Sequence, residues 1–419
     1  MLAMFHGRLI AVRICMVAAA LGLVAVGVVT IYAVGHPAEA SPAADTAKLA
    51  GLWKRQAVFA GAAIAGFIAV NLVNYRRVGE LSYWTYGIVI MLLVLLLADK
   101  VVDLPFVPRI NNVHQWIKIG IGSRYVLLQP SEFCKLAYIL ALGWYLRYRS
   151  NYHSFRALIG PFALTVLPMV LILLEPDLGT VLLMMPILFT MVFVAGAKVK
   201  HLVMVLILAV LVSPLLWYKM SPNQRTRISA VLLQSKWVQK QAETYPQIGQ
   251  ILVGGKFSLK QWNNDWGYHL LRSKFAIASG GAAGHGFRKG PFIKYDFLPY
   301  RYNDFIFATI AHQWGFAGCL GLFGLYAIII ACALEIAWHN IDPFGRLITV
   351  GIIAMFIVEV LVNTCMTVGL MPITGLTLPL VSYGGSSLLV NLASVGLLNN
   401  VGRGRPFSVA PKPFEQEQQ

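Results

Sequence analysis

Apolar residues run through this chain in long blocks separated by short polar ones. Crossing a bilayer as a helix takes about 20 mostly apolar residues. Ten blocks approach or pass that length: residues 14–34, 56–74, 82–99, 131–147, 157–175, 178–197, 199–217, 305–334, 347–370 and 384–401. The pattern predicts an all-α polytopic membrane protein of about ten transmembrane helices, forming a single membrane domain over residues 1–405. One long polar loop, about 218–304, separates the seventh block from the eighth. Block 305–334 is longer than a bilayer needs and carries Gly315, Gly318, Gly321 and Gly324, so a break or tilt is expected in it. The tail 406–419 is polar and Pro-containing and is expected to be disordered.

The first block has a basic lead in Arg8 and Arg13, and Ala38-Glu39-Ala40 after it resembles a signal-peptidase site. Its apolar run exceeds the usual signal-peptide core, so it is read as a retained helix. Composition agrees with a membrane class: 58% of residues are hydrophobic and 12% charged, more apolar surface than a soluble chain of this size could hide. The five cysteines, Cys15, Cys134, Cys319, Cys332 and Cys365, all fall in apolar blocks without metal-like spacing, and are read as core residues.

The formal net charge of +17 must then sit in loops and ends. It implies attraction to anionic headgroups or an anionic substrate. No soluble basic domain is present to carry nucleic-acid binding. Short connections decide orientation. Arg76, Arg77, Arg147, Arg149, Arg156, Lys198, Lys200, Arg346, Arg403 and Arg405 fall on one side, whereas loops 175–177 and 371–383 on the other carry no Lys or Arg. Both termini are therefore expected in the cytoplasm, with loop 218–304 outside. Long loops cross largely regardless of charge, so the basic character of that loop needs another reason, and a phosphate-bearing substrate is one. A merely solvated basic loop is the alternative.

Candidate chemistry gathers near the outer ends of the blocks. From Lys219 to Asp304 there are 13 Lys/Arg against 4 acids, and Asp304 closes the loop directly before an apolar run. Glu132 and Lys135 lie three apart at the mouth of the fourth block, on one helical face, as a site or a structural ion pair. Glu175 and Asp177 join two blocks with almost no loop; they could cap the next helix, hold a cation or position basic residues. Arg225 and Arg227 open a stretch of helical period, and Lys274 lies on a helix that ends in the glycine-rich run Ser279 to Gly286. Such a run can bring backbone N–H groups to phosphate oxygens, or be a plain turn. The Pro- and Gly-rich run Met371 to Ser387, which includes Ser382, is read as irregular backbone lining a cavity. Glu359, in the middle of the ninth block, needs a partner or a proton.

Several stretches together resemble the SEDS family (shape, elongation, division and sporulation proteins). They are Gln-Pro-Ser-Glu at 129–132, Pro-Asp-Leu-Gly-Thr at 176–180, Gln-Arg-Thr-Arg at 224–227, Ser-Lys-Phe-Ala-Ile at 273–277, Asp-Phe-Ile-Phe at 304–307 and Leu-Pro-Leu-Val-Ser-Tyr-Gly-Gly-Ser-Ser at 378–387. They occur in family order over residues 56–401, and Thr374 in Pro372 to Gly375 looks closer to the RodA branch than to FtsW. The resemblance implies a peptidoglycan glycosyltransferase of the bacterial cytoplasmic membrane. It would polymerise lipid II, an undecaprenyl-pyrophosphate-linked disaccharide-peptide. Its expected partners are a class B penicillin-binding protein and other elongation or division machinery. Asp304 matches the family's essential aspartate, Trp116 an important tryptophan, and Glu132 and Lys135 polar residues of the fourth span. Gln115, Leu127, His312-Gln313 and the insert near 238–265 depart from the family pattern.

On this reading Asp304 is a general base, and Arg225, Arg227, Lys274 and a divalent cation (magnesium or manganese) could stabilise the pyrophosphate that leaves. The residues Trp116, Glu132, Lys135, Asp177 and Ser382 are further candidate substrate contacts. Two other classes fit the same chain: a lipid II flippase, or a non-catalytic scaffold for a penicillin-binding protein.

Overall fold

The computed structural model describes residues 2–39, 49–100, 102–109, 114–121, 124–148, 155–264, 266–295 and 297–403. The tail 406–419, Ala40 of the signal-like tripeptide, and the loop charges Arg149, Asp265, Asp296 and Arg405 lie outside the described residues.

Among the described residues, ten long helices fall on the apolar blocks. They are α1 (Leu2–Gly35), α2 (Leu52–Leu72), α4 (Ser82–Ala98), α5 (Pro130–Leu146), α6 (Ile159–Leu174), α7 (Leu178–Val194), α8 (Val199–Lys219), α15 (Ile306–His339), α16 (Pro343–Val368) and α17 (Gly385–Arg403). A short α3 (Tyr75–Glu80) follows α2. Helices that are apolar all round divide their surface between neighbours and lipid. Thus α16 is buried along most of its length, while in α8 only Leu202 is buried and Val203, Leu206 and Val210 are exposed. α17 packs against α2, α1 against α15, and α16 against α5, α7 and α15.

Two features interrupt the helices. Strands β1 (Ile117–Ile121) and β2 (Arg124–Leu128) form an antiparallel hairpin before α5, with Ile117 opposite Leu128 and Gly120 opposite Tyr125. The expected break in the eighth block falls at Gly315, whose φ of 60° and ψ of −159° leave the helical region. A break strands backbone groups that lipid cannot satisfy. The glycine-rich run supplies their partners. His285 N donates to His312 O at 3.1 Å and Gly286 N to Gln313 O at 2.9 Å, while Phe316 N donates to Gly281 O at 2.9 Å and Ala317 N to Ala282 O at 3.1 Å. The run therefore docks on a broken helix. Gly284, at φ +78°, has no room for a Cβ, which would run into the Gln313 carbonyl. Gly284→Ala should cost about 2–4 kcal/mol from strain and overpacking together. An unchanged thermal midpoint of the purified variant would refute that.

The polar loop folds as helices α9 (Pro222–Leu232), α10 (Lys236–Thr244), α11 (Pro246–Val253), α12 (Leu259–Asn264), α13 (Trp266–Gly280) and α14 (Pro291–Lys294). Ser221 and Gln224 make a reciprocal capping box that starts α9. The insert has its own small core of Leu233, Ala242, Phe257 and Trp262. A second cluster, including Leu270, Ala276, Phe292, Phe305, Met366 and Ile373, fastens the loop to α15, α16 and the 371–384 segment. Asp304 lies immediately before Phe305 in that junction.

Candidate functional site

Asp304 is held by its backbone and its neighbours' backbone. Asn363, fully buried on α16, donates through Nδ2 to Asp304 O at 2.9 Å and to Leu376 O at 2.7 Å. Ser382 Oγ donates to Asn303 O at 2.8 Å and accepts from Leu378 N at 2.8 Å, and Tyr383 N donates to Tyr302 O at 3.0 Å. The 302–304 turn is thus stapled between α16 and the 371–384 segment. The helix that follows starts from Phe305 without a side-chain cap from it. Asp304 Oδ2 faces Gly375, where a methyl replacing the α-hydrogen would sit 3.8 Å away.

The residue keeps some exposure to solvent, while protein atoms surround its carboxyl. Burial pushes it up from 3.8 to about 7, opposed by Arg227 and reinforced by Asp177. Asp177 caps α7, accepting from Thr180 N at 3.1 Å and Thr180 Oγ1 at 2.9 Å, and it also accepts from Ser131 Oγ at 3.0 Å. Capping and a place in the site are therefore compatible. Glu175 beside it is buried, and neither carboxylate oxygen has a hydrogen-bond partner among the described residues. Burial and the Asp177 charge push it up to about 8 against the pull of Lys100.

Deeper, Lys135 on α5 bridges Glu132 Oε2 at 2.7 Å and Glu359 Oε1 at 2.6 Å. All three are buried, so the carboxylate on the ninth block has found its partner. Ser131, next to Glu132, joins this triad to Asp177.

The other predicted residues are more scattered. Arg225 and Arg227 are two apart on α9, about 200° around a helix, so they cannot share a face. Arg227 acts on Asp304, whereas Arg225 Nη2 donates to Tyr218 O at 2.8 Å. Lys274 is exposed and donates to Gln234 Oε1 at 2.9 Å; Gln234 in turn holds Gly369 O beyond the end of α16. Trp116 stands partly exposed just ahead of β1, and its neighbour Gln115 donates to the Glu175 carbonyl. Ser382 is spent on backbone bonds within the staple. Among the described residues, no group of three or more His, Cys, Asp or Glu gathers to hold a metal ion. Sequence reasoning passed over Asn363. A signal existed: it lies four residues after Glu359, on the same face of an apolar helix.

Ten bundled apolar helices, with a tuned carboxylate at one end under a folded basic loop, define a polytopic membrane protein with a site at one mouth of the bundle. The chain belongs to the FtsW/RodA/SpoVE family of cell cycle proteins, whose profile matches residues 13–405. It is 30% identical to the peptidoglycan glycosyltransferase RodA of Treponema pallidum over 91% of this chain and 95% of that one. It is 32% identical to the peptidoglycan glycosyltransferase MrdB of Escherichia coli K12 over 70% and 71% of the two chains. A chain from a solved peptidoglycan synthase complex, described as coordinating polymerization and crosslinking, superposes with a TM-score of 0.70 at 30% identity, covering 93% of this chain and 96% of that one. The crystal structure of Thermus thermophilus RodA gives 0.59 at 28% identity, covering 93% and 95%.

Proposed function

We propose that this protein is a peptidoglycan glycosyltransferase. It lengthens glycan strands from lipid II and releases undecaprenyl pyrophosphate, with Asp304 as general base. The single observation that carries the role is the enclosed Asp304 carboxyl, raised to about 7 beside Arg227 and Asp177. A base works best when its proton affinity lies near the working pH.

The Asp304 carboxylate takes the proton from the sugar 4-hydroxyl of the acceptor. That oxygen attacks the anomeric carbon of the donor, the carbon–oxygen bond to pyrophosphate breaks, and the α-linked donor becomes a β(1→4) product. Glycoside hydrolysis usually needs a second carboxylic acid to protonate the leaving oxygen. Pyrophosphate leaves as a stable anion, so its charge needs cations rather than a proton. Arg227, whose charge acts on Asp304, is the first candidate, and the exposed Lys274 is the second.

Asp304 faces the outside of the bacterial cytoplasmic membrane in this reading, with both termini inside. A class B penicillin-binding protein of the elongation or division machinery crosslinks the strands. The synthase complex that resembles this chain supports such a partnership. The deciding experiment is a gel assay of polymer made from purified lipid II by purified protein in detergent. Polymer made there, where no leaflets exist, speaks against a role limited to flipping lipid. Absence of polymer with and without the partner would overturn the proposal.

The pH dependence follows from the sign of the shift. Asp304 must be ionised to act, and about one molecule in ten is ionised a unit below its value of about 7. The initial rate should therefore climb roughly tenfold per unit below about pH 7 and level off above it. A flat profile from pH 5.5 to 8 would contradict the assignment.

A further inference from the structure

A second polar site lies at the opposite end of the helices that hold the Asp304 staple. A cavity of about 480 Å³ opens between the last turns of α2 and α17 and the short α3. Its wall includes Asn71, Asn74, Tyr75, Arg76, Asn400 and Arg403. Arg13 of α1 adjoins it: Arg13 Nε donates to Asn399 Oδ1 at 2.9 Å, and Asn399 Nδ2 donates to Asn71 Oδ1 at 2.6 Å. Arg13 and Arg403 are near enough to repel each other. The carboxylate seen facing this group is Asp342, 3.5 Å from Arg76 Nε. Among the described residues, three arginines stand here with one aspartate, so this group carries a net positive charge.

The surface leading to the cavity is apolar. Ile64, Ile68 and Leu72 lie four apart on α2, on one face, and their exposure rises toward the cavity from 38% to 51% to 81%. Such a rail suits an acyl chain, and the basic cavity at its end suits a phosphate. Basic pockets between membrane helices on the cytoplasmic side commonly take anionic lipid headgroups.

We infer that this cavity binds the phosphate headgroup of an anionic phospholipid and thereby braces α2 against α17. Both helices reach the catalytic end. Gln56, in the second turn of α2, donates to Ser382 O at 3.2 Å and accepts from Gly384 N at 3.2 Å, and Ser386 of α17 accepts from Gln129 N at 3.0 Å. A lipid that clamps the far ends of α2 and α17 therefore steadies the segment that staples Asp304. The inference rests on the proposed orientation only in calling this end cytoplasmic, and its test reads stability rather than polymerisation.

The test uses the full-length protein in detergent micelles. Phosphatidylglycerol, phosphatidylcholine or inorganic phosphate is added at equal phosphate concentration. Phosphatidylglycerol should raise the thermal midpoint over phosphatidylcholine by at least about 2 °C. Arg403→Gln should lose at least half of that difference, Arg76→Gln/Arg403→Gln all of it, and Arg403→Lys should keep most of it. Arg403→Gln leaves the Arg76–Asp342 pair intact, so it decides the matter if the double variant does not fold. The inference is overturned if the difference survives in Arg403→Gln, or if both lipids act alike on the unaltered protein. An equal shift from inorganic phosphate would overturn the lipid assignment and leave a free-phosphate site.

Discussion

Asp304→Asn will cut polymerisation of lipid II by about 10²–10⁴-fold, the usual contribution of a positioned base. The substitution isolates the proton-accepting function. Asn has nearly the same shape, and the bonds that hold the turn go to backbone oxygens: Asn363 to Asp304 O and Ser382 to Asn303 O. None of them needs the carboxylate. The fold should hold, and the sign of the linkage says so too. Burial raises this carboxyl from 3.8 to about 7, so its contribution to stability is fully present below pH 3.8 and is lost as pH rises through about 7. Asn never ionises. At pH 8 the variant's thermal midpoint should therefore match or exceed that of the unaltered protein while its polymer disappears. Near-normal polymer from a well-folded Asn variant would remove Asp304 from the chemistry.

The bundle was legible because lipid imposes one solution on backbone polar groups. Ten apolar blocks had to be helices, and four glycines in the eighth marked a break or tilt, which falls at the first of them, Gly315. The hairpin 117–128 went unread because its strands are only five residues long, beside blocks four times that size. The site was half legible. Asp304, Asp177 and Arg227 could be named from charge scarcity and motif. What surrounds them could not, because it depends on pairs far apart in sequence: Asn363 with Asp304, Lys135 with Glu359, Ser131 with Asp177. Arg225 shows what spacing alone hides. Adjacent motif charges suggest a shared role, and helix geometry turns one of them to Tyr218.

Lys135→Met will strongly destabilise the protein. Lys135 is fully buried and reaches Glu132 and Glu359 at 2.7 and 2.6 Å, so its ammonium offsets the repulsion between the two carboxylates. Removing it leaves two buried acids facing each other with no cation. Breaking a buried pair in this way costs about 3–5 kcal/mol, whereas replacing the whole group by neutral side chains is often tolerated. The single variant should thus lose most of its folded yield in membranes. The triple variant Glu132→Gln/Lys135→Met/Glu359→Gln should regain it. If the single variant remains as stable as the unaltered protein, the ion triad does not hold α5 to α16. The triple variant also separates the two readings of Glu132 and Lys135. A purely structural triad predicts that yield and polymerisation return together. A triad that tunes the site through Ser131 and Asp177 predicts that the fold returns without the rate, with the pH midpoint of the remaining activity displaced. The second outcome is the expected one, because Asp177 acts directly on the Asp304 carboxyl.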